Sequence, residues 1–455
     1  MQFQFRNRRQ TTRVAGRDLR GASARFPIIF VVVCLAAVAT ALAEGEGFYG
    51  PLALKDSELQ LMKNANATED QFVRHSYRYD SPELEAALKR IGGTIVPKPT
   101  DDYIRYRFFV VRDVEPNAFA LPDGQVYVNS GLLAVLENEA QLAGVLAHEV
   151  HHTAGHHGIL SYRSARHKVI ASAIIGPLTL GVGDYFLAMS VFGYSRDLEE
   201  EADRLGLKRM LVAGYDPRQV PRMLQILAQD PEGENPEFKS KWATHPALMA
   251  RVDYTQAMLP GVMVGHKTEP LKVNAQGYRS MVRRVSLDTV QDLIAADKPR
   301  TAVTLTQRLL KEDGDDPAAL IALGDARCAL GPLALLGGEA DLTNKQKVKI
   351  LRQKAYYTRS EREAKLLEAP EGRETLRKNL DLARQSYQRA LTTDGSVAEA
   401  HRGLGYVYSR LGRPIDAGRE FVIYLRSRPQ APDKPVILGE LKLINATLKK
   451  GGTKR

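Results

Sequence analysis

Three residues near the middle of the chain have the types and spacing of a metal site with a base beside it. The sequence His148-Glu149-Val150-His151-His152 places two histidines four residues apart, with a glutamate directly after the first. Because residues i and i+4 share one face of a helix, both imidazoles can bind one Zn²⁺. We therefore predict that His148 and His152 bind one zinc ion per chain, and that Glu149 is a catalytic base for hydrolysis.

A catalytic zinc needs a third protein ligand and keeps one position open. His156 is one candidate, but Glu199 is the better one, because it shares a helix face with Asp203 in an E-x-x-x-D pair. Asp203 can then accept the Nδ1–H of a ligand histidine and fix its tautomer. His156 and His157 are predicted to lie at the surface or to support the ligands from behind.

The pattern of apolar residues predicts the elements that must position these side chains. The histidine motif follows an apolar helix face, which indicates a buried helix, and the glutamate pair opens a second helix. The predicted elements are an amphipathic helix at 81–92 with Leu84, Leu88 and Ile91 on one face, strands at 105–111 and 125–128 that lie side by side, helices capped by Ser130 and Asn138, and helices that begin near Ser195 and Asp216. The fold class is therefore α+β and mostly α, with a small sheet.

The last third of the chain contains an internal repeat. Two sets of residues recur at constant offsets, and both sets mix small with large apolar side chains. The first set is Ala383, Tyr387, Ala390 and Leu391, which recur as Ala417, Phe421, Tyr424 and Leu425 at an offset of 34; the second is Ala302, Leu310, Leu323 and Gly324, which recur as Ala383, Leu391, Leu404 and Gly405 at an offset of 81. A period of 34 with small residues where helices approach resembles the tetratricopeptide repeat, an α-helical repeat that binds partners.

The first 43 residues have the composition of a secretory signal peptide. Seven arginines precede an apolar run at 27–43, which ends in Ala41-Leu42-Ala43. An uncleaved membrane anchor is the alternative, because the run is just long enough to approach a membrane span. Much of the formal charge of +11 lies in this leader, so we expect no nucleic-acid partner. One of the two cysteines, Cys34, also lies there, which excludes a zinc site built from cysteines.

A second apolar segment, at 169–192, lies between the two halves of the predicted zinc site. Its Gly176-Pro177 pair and its other glycines interrupt any long helix. We predict two short buried helices beside the site. The alternative is a hairpin that contacts a membrane, in which case the secreted chain would also be membrane-associated.

Four motifs in order resemble the gluzincin peptidases, the family that includes the CAAX prenyl endopeptidase and the bacterial heat-shock protease HtpX. They are the histidine motif, the Glu199/Asp203 pair, the segment 116–124 before them and Thr244-His245-Pro246 after them. The resemblance covers roughly residues 81–251. Together with the leader and the repeats, it is strongest to one branch of that family, the periplasmic β-barrel assembly-enhancing proteases of Gram-negative bacteria.

The resemblance implies a zincin-like fold and further site residues. Asn117, Ala118, Phe119 and Ala120 would form an edge strand with which a substrate backbone pairs. His245 would lie near the metal, either to hydrogen-bond the oxyanion or to occupy the fourth zinc position. Arg251 would be a structural ion-pair partner.

The implied function is that of a periplasmic zinc endopeptidase acting on misfolded or misassembled outer-membrane proteins, with the repeats docking the client or the assembly machinery. The alternative is a chaperone or scaffold whose zinc site is gated and mostly closed. The predicted domains are a signal peptide (1–43), a zinc metallopeptidase domain (44–265), a linker (266–298), tetratricopeptide-like helical repeats (299–436) and a C-terminal tail (437–455).

Overall fold

The computed structural model describes residues 52, 54–56, 58, 78–97, 103–172, 193–228, 248–266, 270–336 and 359–452. These residues are mostly helical and include a small sheet. In chain order the elements are α1 (Pro82–Ile95), β1 (Arg107–Val111), β2 (Ala118–Ala120), β3 (Gln125–Asn129), α2 (Ser130–Val135), α3 (Glu139–Ala154), α4 (His157–Ser172), α5 (Arg196–Val212), α6 (Gln219–Leu227), α7 (Leu248–Val262), α8 (Ala275–Ala295), α9 (Pro299–Asp313), α10 (Pro317–Leu330), a 3-10 helix (Gly331–Leu336), α11 (Arg359–Glu368), α12 (Pro370–Thr393), α13 (Ala398–Arg410), α14 (Pro414–Ser427) and α15 (Lys434–Gly452).

The amphipathic helix predicted at 81–92 is confirmed as α1. The Ser81 hydroxyl accepts a hydrogen bond from the Leu84 N–H and so caps the helix. Leu84, Leu88 and Ile91 are buried on one face. This face anchors α1 in the same core that surrounds the helix of the histidine motif.

The sheet has three strands in the order β1-β3-β2. The two predicted strands are neighbours, as expected, and β1 pairs with β3 in parallel. β2 pairs with the other side of β3 in an antiparallel register, with Phe119 opposite Tyr127. β2 is therefore at the edge of the sheet, and within the described residues no further strand pairs with it. The turn between β2 and β3 needs Gly124, whose φ is +98° and where a Cβ would meet the Arg105 backbone at 2.7 Å.

The helix of the histidine motif, α3, lies at the centre of the core. All of its residues are buried, and the Asn138 side chain caps it by accepting from the Gln141 N–H, as predicted. Gly144 lets α6 pack closely, because a Cβ there would lie 2.9 Å from Val220 Cγ2. The predicted Ser130 cap is wrong. Ser130 is the first residue of α2, and its hydroxyl instead donates to the Asp113 carbonyl.

The segment predicted as a linker, 266–298, is mostly the helix α8. Its apolar residues recur at helical spacing over its whole length, and they pack in two places. Tyr278 and Val282 lie in the core around α3, whereas Val290 and Leu293 lie in a separate core formed with α9 and α10. α8 therefore joins the peptidase region to the helices that follow.

The C-terminal helices repeat one packing contact. A Cβ on Gly324 of α10 would meet the Tyr387 ring of α12, and a Cβ on Gly405 of α13 would meet the Phe421 ring of α14. Both glycines come from the predicted repeat. The residues predicted as a tail belong largely to α15, where Ile437 and Ile444 are buried.

Several predictions fall outside the described residues. These are the leader at 1–43, most of the apolar segment at 169–192, and His245 with its neighbours in the Thr-His-Pro motif. None of the helices in the described part of the chain combines the length and the apolar composition that a membrane span needs.

Candidate metal centre

Two packed helices bring three potential metal ligands together. α3 carries His148 and His152 one turn apart, and α5 carries Glu199. One ligand atom from each residue lies within 4.8 Å of the other two, and all three residues are buried. His148, His152 and Glu199 are thus the group of side chains, among the described residues, that could hold a metal ion.

The distances between these atoms fit a zinc ion. In a tetrahedral site with bonds near 2.0–2.1 Å, two ligand atoms are about 3.3 Å apart. The Nε2 atoms of His148 and His152 are 2.9 Å apart, and the Glu199 carboxylate oxygens lie 3.6 and 3.4 Å from them. Two imidazoles and one carboxylate are also the donor set of known catalytic zinc sites. The three residues therefore fit zinc in both geometry and chemistry.

Asp203 lies directly behind the first ligand histidine. Its Oδ1 is 2.9 Å from Nδ1 of His148, which leaves Nε2 of that ring directed towards the other ligands. Arg251 of α7 donates to both oxygens of Asp203 at 2.8 and 2.9 Å, and the Tyr254 hydroxyl donates at 2.6 Å. Arg251 also lies 3.0 Å from Glu199. The carboxylate thus holds the His148 ring in one orientation, and α7 holds the carboxylate.

The charges in this network stabilise one another. Burial is the largest single effect and raises the pKa of Asp203, but Arg251 and His148 together outweigh burial and hold that pKa well below its usual range. Burial likewise favours neutral Arg251, while Asp203 and Glu199 raise its pKa above the usual value. Asp203 is therefore an anion at neutral pH and accepts the Nδ1–H of His148 in the tautomer that a metal ligand needs.

The second ligand histidine is held by two other side chains. The Nδ1 atom of His152 is 3.0 Å from Nδ1 of His157, and the Tyr194 ring stacks on the His152 ring with centroids 3.8 Å apart. The predicted surface position for His156 and His157 is wrong, because His156 is buried in the turn that follows α3 and His157 is buried at the start of α4. The predicted supporting position fits His157. Burial lowers the pKa of His157 to about 4, so its ring is neutral at pH 7.

A cleft joins the metal centre to the edge strand. It is lined by His148 and Glu149 of α3, by Ala118 of β2, by Arg251, and by apolar residues. These apolar residues are Val145, Met223, Leu224 and Leu227. Glu149 lies next to His148 in the sequence and lines the same cleft. A chain lying along β2 would thus pass beside Glu149.

The structure brings together most of the site residues that were predicted from the sequence. His148, Glu149, His152, Glu199 and Asp203 lie around one point, and β2 borders the same cleft. Tyr194 and Tyr254 were not predicted from the sequence. Tyr254 could have been found by its position, since it follows Arg251 by three residues and so shares a helix face with it. Tyr194 carries no such signal, because its contact with His152 is between distant parts of the chain.

Comparison with known proteins agrees with this geometry. Residues 82–258 match peptidase family M48. The chain is 30% identical over 165 residues to a putative beta-barrel assembly-enhancing protease of Vibrio cholerae, which covers 33% of this chain and 34% of that protein. It is 31% identical over 197 residues to the mitochondrial metalloendopeptidase OMA1 of Schizosaccharomyces pombe, with 42% and 57% covered. The beta-barrel assembly-enhancing protease of Escherichia coli is 25% identical over 162 residues, with 32% and 33% covered.

The chain spans between a third and just over half of the length of these relatives. The family match begins at α1, includes all three strands and every residue of the metal centre, and ends within α7. Residues 82–258 of this chain therefore form a domain of peptidase family M48, whose members are zinc metallopeptidases.

Proposed function

We propose that this protein is a zinc-dependent endopeptidase that cleaves protein chains bound in an extended conformation along β2. The observation that carries the proposal is the cleft in which Ala118 of the edge strand lies together with His148 and Glu149. An edge strand can bind an extended chain through backbone hydrogen bonds whatever its sequence. The side-chain contacts with Met223, Leu224 and the other apolar residues of the cleft would then favour apolar substrate residues.

The chemistry follows from what these side chains can do. Zinc in a site of this kind polarises a carbonyl group and lowers the pKa of water. Glu149 takes a proton from the attacking water and delivers it to the leaving amide nitrogen. Asp203, fixed by Arg251 and Tyr254, keeps the His148 ring in place throughout. We also propose, from the family resemblance, that His245 lies near the metal and either stabilises the oxyanion or occupies the fourth zinc position.

We further propose that the substrates are misfolded or misassembled outer-membrane proteins and that the enzyme acts in the periplasm. Two lines of support are the leader-like residues 1–43 and the named activity of the Vibrio cholerae and Escherichia coli relatives. The mitochondrial relative is equally similar in identity, so the peptidase domain alone does not select between the two settings. Fusion of residues 1–43 to a reporter that is active only after export tests the location. Retention of the reporter in the cytoplasm would contradict it.

The C-terminal helices are proposed to be tetratricopeptide-like repeats that dock the client or the assembly machinery. The support is the repeated glycine-to-ring contact, Gly324 with Tyr387 and Gly405 with Phe421. By this assignment α10 and α12 are the two helices of one repeat, and α13 and α14 are the two helices of the next. The 3-10 helix and α11 then lie in an insertion between α10 and α12.

The test compares wild type with Glu149→Gln and with a matched control, Glu200→Gln. Glu200 is an exposed glutamate on α5, next to a ligand but outside the cleft. Each purified full-length protein is assayed for zinc content and for cleavage of casein and of an unfolded outer-membrane β-barrel protein. We expect one zinc per chain in all three, and cleavage by wild type and by the control. Loss of a general base should slow Glu149→Gln about 10²- to 10⁴-fold.

A second candidate function, a chaperone or scaffold with a gated site, is favoured by one observation. The side chains of His148, His152 and Glu199 are only 8%, 1% and 2% exposed. If all three proteins bind zinc and none cleaves either substrate, while wild type still prevents aggregation of the unfolded β-barrel protein, the endopeptidase proposal is wrong and the gated function takes its place.

A further inference from the structure

The six residues that connect β1 to the edge strand, Arg112–Asn117, contact the C-terminal helices. We call them the strand loop. The Arg112 guanidinium donates two hydrogen bonds of 2.9 Å to the Asp292 carboxylate of α8. Lys298, at the start of α9, pairs with Glu115. Between them, Val114 packs against the apolar core formed by α8, α9 and α10.

On its other side the strand loop is fixed to the peptidase domain. The Gly131 N–H donates to the Asp113 carbonyl at 2.8 Å, and the Asn129 side chain donates to the Glu115 carbonyl at 3.1 Å. The approach is close enough that a Cβ on Gly131 would lie 2.1 Å from the Val114 carbonyl oxygen, which leaves room for no side chain. The loop thus lies between α2 and the C-terminal helices and contacts both.

The loop leads directly into the strand that borders the cleft. Its last residue, Asn117, accepts a hydrogen bond from the Asn129 N–H, and the next residue, Ala118, lines the cleft beside Glu149. β2 is only three residues long and pairs with β3. Such a short strand gains little from its own ladder, so its position depends on how its ends are held.

We propose that α8 and α9 position the edge strand through the strand loop, and so set how tightly the peptidase binds its substrate. Arg112, Asp292, Glu115 and Lys298 are positioning residues, because they contact neither the cleft nor the metal ligands. A partner that shifts these two helices would change substrate affinity without touching the metal centre. The inference rests on the proposed endopeptidase function, since it assigns the substrate to β2.

The test reverses one charge in the full-length, zinc-loaded chain. Asp292→Lys places a cation beside Arg112. The matched control is Glu399→Lys, which breaks an ion pair of 3.1 Å with Arg428 inside the C-terminal helices, far along the chain from the strand loop. A third protein, Arg112→Asp combined with Asp292→Arg, restores the pair with its charges exchanged.

Two measurements are made on each protein. Hydrogen exchange followed by mass spectrometry reports the opening of residues 112–120, and casein cleavage gives KM and kcat. We expect exchange at 112–120 to become about three- to tenfold faster in Asp292→Lys, and KM to rise about fivefold. These changes are modest because a partly exposed ion pair contributes little free energy. The kcat value and the zinc content should stay within about twofold. Wild-type values should return in the exchanged pair, and Glu399→Lys should behave as wild type.

The two readouts separate failure of the inference from failure of the proposed function. Unchanged exchange at 112–120 in Asp292→Lys would overturn the inference, as would a normal KM in an active enzyme with a loosened loop. If wild type cleaves nothing, the endopeptidase function fails, and the exchange data alone decide whether the helices hold the strand. A fall in kcat or zinc content equal to the change in KM would show general damage and would also overturn the inference.

Discussion

The N-terminus of the metal-binding helix is held by one buried carboxylate. Glu139, the first residue of α3, is only 2% exposed. It accepts hydrogen bonds from Tyr215 at 2.7 Å, from Arg90 at 3.1 Å, and from Lys272 and Asn274. Through these four donors a single side chain ties α1, the turn after α5 and the segment before α8 to the start of α3. We predict that Glu139→Gln lowers the free energy of unfolding in a pH-dependent way.

The expected size follows from the pKa of the carboxyl group. Burial is the largest single effect and favours the neutral form, but the hydrogen bonds from Arg90, Lys272, Tyr215 and Asn274 together outweigh it and lower the pKa from 4.5 to about 2. One pKa unit corresponds to about 1.4 kcal/mol, so this change is worth about 3 kcal/mol at neutral pH. Arg90 and Lys272 are partly exposed and screened by water, which reduces the expected loss in Glu139→Gln to about 2 kcal/mol.

The sign of the pH dependence is fixed by the direction of the change. Because the pKa is lower in the folded protein, ionised Glu139 stabilises the fold above the unfolded-state pKa near 4.5, and this stabilisation is lost as the pH falls towards 2. The difference between wild type and Glu139→Gln should therefore be full at pH 7 and less than half as large at pH 3. Urea unfolding of the metal-free full-length chain, followed by circular dichroism, measures it at both values.

The neighbouring residue provides the control. Glu137 precedes the same helix and pairs with Arg222, but its side chain is 30% exposed. Glu137→Gln should cost less than about 1 kcal/mol at pH 7, as is usual for an exposed pair. An equal loss of stability in the two variants, or a loss in Glu139→Gln that is the same at pH 3 and pH 7, would refute the assignment of Glu139 as the buried anion that holds α3.

Two further predictions concern the metal centre and the repeats. His157→Ala should weaken zinc binding about 10- to 100-fold in a chelator competition, because the His152 ring loses the partner of its Nδ1 atom. His156→Ala is the control and should have a smaller effect. Equal effects of the two substitutions would contradict the role of His157. Gly405→Ala should lower the free energy of unfolding by about 1–3 kcal/mol, because its Cβ would lie 2.4 Å from the buried Phe421 ring. Gly439→Ala is the control and should be close to neutral, since its Cβ would meet open space. A neutral Gly405→Ala would refute the packing of Gly405 against Phe421.

The sequence alone was sufficient for the features that depend on local geometry. The spacing of His148 and His152, and of Glu199 and Asp203, is set by the turn of a helix, so the ligand set could be predicted before any fold was known. The cap at Asn138 and the helix starts at Ser81 and Ser195 depend on neighbouring residues and were also predicted correctly, whereas the cap predicted at Ser130 was wrong. The repeat offsets pointed to Gly324 and Gly405 without showing which rings they face.

The tertiary structure decided everything that joins distant parts of the chain. The donors to Glu139 come from residues 90, 215, 272 and 274, and the partners of Asp203 come from α3 and α7, which no local pattern connects. The predicted linker is a helix because its apolar residues face two different cores, which only the packed fold provides. The strand loop could not be assigned from sequence for the same reason. Its charged residues look like an ordinary solvated turn until α8 and α9 are placed against it, because an ion pair depends on distance in space and not on spacing along the chain.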